Sequence, residues 1–380
     1  MTASARRWSA LCMALIVAFA VSPVSPLAAS VQIDLYRIEL PAQSQSSAER
    51  QRLIRRGLTG LFVRLTGDDQ AVARYPQLRS SLDQAPRYLA SFNYFDREEP
   101  AGLRGDPGQP VDLAEQSYIE LVFNGEAVNQ LLSRAGAPLW GAVRPELLVW
   151  LVEQTRDQRA VVNPETQPLR SQQLEQSAKR RGIPLIQPLL DLEERSRIDA
   201  EALWQRDWPT ISRASQRYQP AAILVGKLGR GSTASSLGAQ PNSGRWLGQW
   251  QLLHRGQTFS ASYQGEDIDA FFARGLALAA SQFASEYAVQ GQGAGLQTRR
   301  VIRVSGVESQ ADYVALSGLL NRASALNAVQ LQRIEGNQCW FSFESSAQRQ
   351  QLDSLLTLDA RLRRGSFAGS ELHYSWHSSE

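Results

Sequence analysis

Hydrophobic and polar residues alternate from Val31 to Leu40, the period of a half-buried strand, and the period then changes. Leu53, Ile54, Leu58, Leu61, Phe62 and Leu65 recur at intervals of three and four, which predicts an amphipathic helix over Ala48 to Leu65. Ser44 to Ser47 can cap its start, and Leu65-Thr66-Gly67-Asp68-Asp69 stops it with glycine and acids. A second helix is predicted over Ala71 to Gln84 and an aromatic-rich strand over Tyr88 to Phe95. Glu98 to Pro110 has the Pro, Gly and charge of a hairpin loop, Tyr118 to Phe123 returns as a strand, and Gly125 to Arg134 is helical up to Gly136. The order βααββα predicts a compact α/β unit over residues 31–143.

A second unit, residues 144–289, opens at Arg144-Pro145. Leu147 to Val152 is continuously apolar, as a strand buried on both faces must be. Helix Ser171 to Arg181, ended by Gly182, and strand Ile183 to Gln187 complete a βαβ unit. Pro188 to Glu194 connects to helices Ala200 to Trp208 and Thr210 to Tyr218, followed by strand Ala221 to Leu228. The Gly229 to Gly244 loop of small residues leads to strands Arg245 to Leu253 and Thr258 to Tyr263 and to helix Ile268 to Val289. A Gly/Gln linker over residues 290–298 precedes a small unit, 299–376, whose pattern is ferredoxin-like βαββαβ. The expected fold class is therefore α/β (α+β) and multidomain, with mixed sheets and flanking helices.

Residues 1–29 carry a different pattern. Arg6 and Arg7 precede the uncharged apolar run Leu11 to Val21, Pro23 and Pro26 follow, and Leu27-Ala28-Ala29-Ser30 supplies the small residues of a cleavage site. The run is shorter than the roughly 20 residues that span a bilayer, so a cleaved secretory signal and a periplasmic protein without an integral membrane segment are expected.

Export changes the charge balance. The 40 Lys and Arg against 37 Asp and Glu fall to 38 against 37 once Arg6 and Arg7 leave, a net charge of +1 instead of +3. Nearly balanced charge argues against nucleic acid as a partner. Cys339 is the one cysteine outside the signal, which excludes an intramolecular disulfide; it sits on an alternating strand as a buried thiol.

Candidate chemistry is sparse. Gly226-Lys227 lacks the glycine spacing and the Ser or Thr of a phosphate loop, and Gly226, Gly229 and Gly231 precede a strand where a dinucleotide fingerprint needs a helix. His373 and His377 sit in a strand-like stretch without a third ligand, so no metal or other cofactor is expected. Asp191, Glu193 and Glu194 follow a strand end and are the best candidates for an acid and base pair. Of the tryptophans, Trp246 and Trp250 share one strand face beside the long loop and are the candidates for an exposed recognition edge.

Several motifs resemble one family. Leu65-Thr66-Gly67, Leu139-Trp140-Gly141, Arg144-Pro145-Glu146, Leu148-Val149-Trp150-Leu151, Arg181-Gly182-Ile183-Pro184, Pro188-Leu189-Leu190-Asp191-Leu192, Tyr218 and Leu224-Val225-Gly226-Lys227-Leu228 look like the domain-of-unknown-function 2066 family, over roughly Val31 to Val289. The resemblance implies a signal-bearing proteobacterial protein and brings no catalytic residues with it. The expected function is a periplasmic binding or scaffolding factor in cell-envelope assembly or maintenance, with envelope proteins as partners. The rival is a metal-independent hydrolase using the 191–194 acids.

Overall fold

The computed structural model describes residues 30–100, 113–155, 158–230, 245–290, 298–323, 325–365 and 372–378. Residues 1–29, where a secretory signal is expected, most of the Gly229 to Gly244 loop, residues 291–297, where a linker is expected, and the tip of the 98–110 loop lie outside the described residues.

The first part contains β1 (Ser30–Gln32), β2 (Arg37–Pro41), α1 (Ser47–Thr66), α2 (Ala71–Arg74), α3 (Pro76–Ser81), β3 (Leu89–Pro100), β4 (Leu113–Phe123) and α4 (Gly125–Arg134). Strands β2, β4 and β3 form an antiparallel sheet in that order. Ser46 caps α1 by accepting from the Glu49 amide at 3.3 Å, and Gly67 ends it in the left-handed region at φ 70°. The apolar stripe of α1 packs on the sheet, with Leu58, Leu61, Phe62, Ile119 and Leu121 wholly buried. Two expectations need correction. Val31 to Leu40 is two strands, because β1 pairs with residues 143–145 while β2 joins the sheet. Ala71 to Gln84 is broken at Pro76 and runs into a 3₁₀ stretch containing Pro86, since proline offers no N–H to continue a helix.

Next come β5 (Pro138–Leu139), β6 (Val143–Pro145), β7 (Leu147–Thr155), β8 (Gln158–Val161), α5 (Pro168–Arg181), β9 (Leu185–Ile186), α6 (Leu192–Arg197), α7 (Ala200–Gln205), α8 (Trp208–Ser215), β10 (Ala222–Arg230), β11 (Trp246–His254), β12 (Gln257–Gly265), α9 (Ile268–Tyr287) and β13 (Val289–Gln290). Their sheet has the order β12-β11-β10-β7-β8, with β9 also on β7. β9 and β10 both run parallel to β7, on opposite sides of it. The sequence alone did not indicate β8 or α6.

Side chains of alternating strand positions enter two cores. Leu147, Val149 and Leu151 face α5 and α9, whereas Leu148, Trp150 and Val152 face α7, α8 and the residues Leu190 and Ile198 that flank α6. That double burial is the reason for the unbroken apolar run in β7.

The last part holds β14 (Thr298–Ser305), α10 (Gln310–Arg322), β15 (Asn327–Glu335), β16 (Gln338–Ser345), α11 (Arg349–Leu356), β17 (Leu362–Arg364) and β18 (Leu372–Trp376). The β15-β16-β14-β18-β17 sheet keeps the ferredoxin-like succession through α11 and then departs from it, because the strand that follows α11 is β17 at the sheet edge. β18 occupies the place beside β14 and runs parallel to it, with β17 as its hairpin partner. Cys339, Phe341 and Phe343 line the helix-facing side, so Cys339 is a buried free thiol that burial pushes above its usual pKa. One continuous core runs from Trp140 through α9 to Trp376.

Candidate functional site

Gly67, at the end of α1, lies against α9. A Cβ there would stand 2.3 Å from the Ala284 Cβ and 3.1 Å from the Ala280 carbonyl, so the turn requires both the positive φ and the missing side chain. Beside this contact opens a cleft of about 560 Å³. The α1 turn, Pro138 of β5, Ser260 of β12, one face of α9 and Gln351 of α11 line it, so every part of the chain contributes a wall.

The polar groups of the cleft are mostly committed. Asp68 pairs with Arg74 at 2.7 Å and Asp69 with Arg181 at 2.7 Å. Ser281 and Ser285 donate back to the Leu278 and Gln282 carbonyls at 2.9 and 2.7 Å. Arg274 is exposed at the rim, and no described residue forms an ion pair with it. No histidine or cysteine lines the cleft to activate a serine. The arrangement is that of a recess able to hold a polar segment, with one available cation.

Beneath the cleft lies a feature that the sequence patterns missed. Arg64 and Arg144 are buried side by side and are bound almost entirely by backbone carbonyls. Arg64 donates to Leu35, Arg37, Lys179 and Arg180 at 2.8 to 3.2 Å. Arg144 donates to Arg64, Trp140, Gly141, Arg181 and Gly182 at 2.7 to 3.2 Å, with its guanidinium 3.7 Å from the Trp140 ring centroid. Residues 179–182 are the C-terminal carbonyls of α5, which lack helical partners and carry the negative end of its dipole. Burial lowers Arg64 to about 10 despite Asp34 and Glu39; burial and then the neighbouring Arg64 lower Arg144. The motifs Arg144-Pro145 and Arg181-Gly182 are the two halves of this lock.

Of the acids of the 191–194 turn, Asp191 and Glu194 meet on one nitrogen of Arg217, at 2.8 and 3.5 Å, and Glu193 lies apart from them. Asp191 caps α6, accepting from the Glu194 amide at 2.9 Å, and pairs with Arg217 at 2.8 Å; these contacts hold its carboxyl below the usual range. Glu193 points outward to Arg197. Glu194 is buried, accepting from the Leu190 amide at 2.7 Å and from the Tyr218 hydroxyl. This set closes a loop in which Leu190 has φ 52°, and it presents no paired free carboxylates.

Trp246 and Trp250 do share a face, but it is the one packed on α9, so they form no exposed edge. Trp250 is fully buried, stacks on Phe271 at 4.5 Å and donates its indole N–H to the Phe271 carbonyl at 2.8 Å. Burial is favoured because β11 continues the sheet over α9, which the alternation alone could not reveal. His373 meets Ser305 on β14, and His377 lies beyond the end of β18. No group of three His, Cys, Asp or Glu able to hold a metal occurs among the described residues.

Residues 28–141 match a family model described as a domain of unknown function, DUF8605. This is not the 2066 family that the motifs resemble, and the match ends before the 144–228 motifs. No curated protein and no solved structure matches the chain. No helix among the described residues is long and apolar enough to cross a membrane.

Proposed function

We propose that this protein is a periplasmic binding or scaffolding factor in assembly or maintenance of the cell envelope, working through the α1–α9–α11 cleft. The carrying observation is that cleft: its walls come from all three parts of the chain, and Asp68, Asp69, Ser281 and Ser285 in its lining are engaged in structural bonds. Such a recess binds without supplying a nucleophile or a free acid and base pair. The apolar N-terminal run with its small-residue cleavage site supports an exported address.

The test places a photo-crosslinking residue at Ser281 in the cleft and, as a control, at exposed Arg195, in cells that export the protein. A discrete envelope-protein adduct from Ser281 alone is expected, with the mature N-terminus near Ser30 in the periplasmic fraction. Equal adducts from both positions, or retention of the protein in the cytoplasm, overturns the reading.

A further inference from the structure

The chain leaves β7 through α5 to β9 on one side, then crosses through α6, α7 and α8 to β10 on the other. Such a reversal opens a crevice at the carboxyl ends of the parallel strands, where α/β proteins hold ligands. Lys227 stands near that end of β10, in register with Val152, whose side chain faces the α7–α8 layer. Arg159 of β8 alternates with Val161, the partner of Val152, and Gln249 of β11 sits opposite Lys227. Lys227, Arg159 and Gln249 thus rise from three strands on one side of the sheet.

α7 brings Trp204 and Arg206 over them. The Trp204 ring centroid is 4.4 Å from the Arg159 Cζ and 5.3 Å from the Lys227 Nζ. Arg206 ends α7 with φ 61°, an uncommon conformation for a side chain of its size, and donates to the Gln249 Oε1 at 2.9 Å. Its Nε is buried without a partner. Glu201 is the acid bound in this group, and it is already joined to Arg159 and Gln205. No described carboxylate pairs with Lys227 or Arg206. Burial, and then the Arg206 and Arg159 charges, lower the Lys227 ammonium. With Glu201 offsetting Arg159 alone, the group keeps an excess of positive charge at Lys227 and Arg206 that an anion would offset.

We infer that Lys227, Arg206 and Arg159 form a phosphate-binding site, with Trp204 as its apolar wall. A phosphate has the charge and the several oxygens to meet three donors from three elements, whereas a carboxylate offers two oxygens and one charge. Arg supplies the fork and Lys the point charge. The phosphate can be free or carried by a lipid headgroup.

The site is tested on the purified full-length protein, independently of export or the α1–α9–α11 cleft. Thermal unfolding is followed in sodium phosphate and in sodium chloride of equal ionic strength, for wild type, Lys227→Gln and Arg159→Gln. Phosphate should raise the wild-type midpoint, and each variant should lose most of that response; Lys227→Gln should unfold higher than wild type in chloride. Sedimentation with phosphatidylglycerol vesicles and phosphatidylcholine vesicles forms the second arm. Lysine-dependent binding of inorganic phosphate identifies a free ligand, and lysine-dependent binding to phosphatidylglycerol alone identifies a lipid-borne one. No response in either arm, or a response unchanged in Lys227→Gln and Arg159→Gln, overturns the inference.

Discussion

A buried guanidinium ordinarily demands a carboxylate, yet Arg144 is satisfied by five main-chain carbonyls and a tryptophan face. Those acceptors cannot be removed along with the donor, so an apolar replacement leaves several of them dry and unpaired. Arg144→Leu is expected to cost about 3–5 kcal/mol in denaturant titrations, the scale of a broken buried network. Arg144→Lys should recover only part of this, having three donors in place of a five-donor fork. Tyr218 gives a pH-dependent counterpart. Burial and its bond to Glu194 push its hydroxyl up to about 12. The folded state then keeps a proton that the unfolded chain releases near pH 10. Stability should fall as pH rises from about 10 to 12, and Tyr218→Phe should flatten that part of an alkaline unfolding profile. An unchanged slope would contradict this role.

The elements are joined through missing side chains as much as through present ones. Gly226 lies under Trp250, where a Cβ would come within 2.3 Å of the indole. Gly275 on α9 meets the other edge of the same ring at 2.4 Å, so one large residue fills the space that two glycines leave. Gly226→Ala is expected to destabilise by about 1–3 kcal/mol, as overpacking does. Trp250→Phe in the same chain should return part of the loss, and the test is the coupling energy from a double-mutant cycle. Additive effects would mean that the contact is not what limits packing. The motif glycine of Val225-Gly226-Lys227 thus has a packing reason, and its lysine neighbour points to the opposite chemistry on the other face.

Across the molecule, the shared core carries the main consequence. The cluster from Trp140 to Trp376 includes both the central sheet and the ferredoxin-like sheet, and Gln351 of α11 donates to the Ala288 carbonyl after α9 at 3.3 Å. Calorimetry should therefore show residues 140–376 unfolding in one endotherm, while two well-separated endotherms would show that the two sheets are energetically independent. At the same scale, residues 30–32 are held by β1 on β6. Residues 376 and 378 are held by Asp312, which accepts from the Trp376 indole at 3.0 Å and from the Ser378 hydroxyl at 2.7 Å.

The sequence by itself determined the periods, the turns and the class of fold. Leu53 to Leu65 repeats at helical spacing and Leu147 to Val152 is apolar throughout, because burial of one stripe or of both faces leaves its mark on contiguous residues. It also indicated that the 191–194 acids and the Trp246 and Trp250 pair were unusual, without fixing their direction. Tertiary structure decided that Glu194 turns inward to Tyr218, that both tryptophans meet α9, and that Arg64 and Arg144 close the end of α5. The Arg159, Arg206 and Lys227 group was hidden for the same reason: its members come from β8, α7 and β10. Local spacing records how each segment is buried, but only the paths of the strands and helices decide which distant charges must share a space.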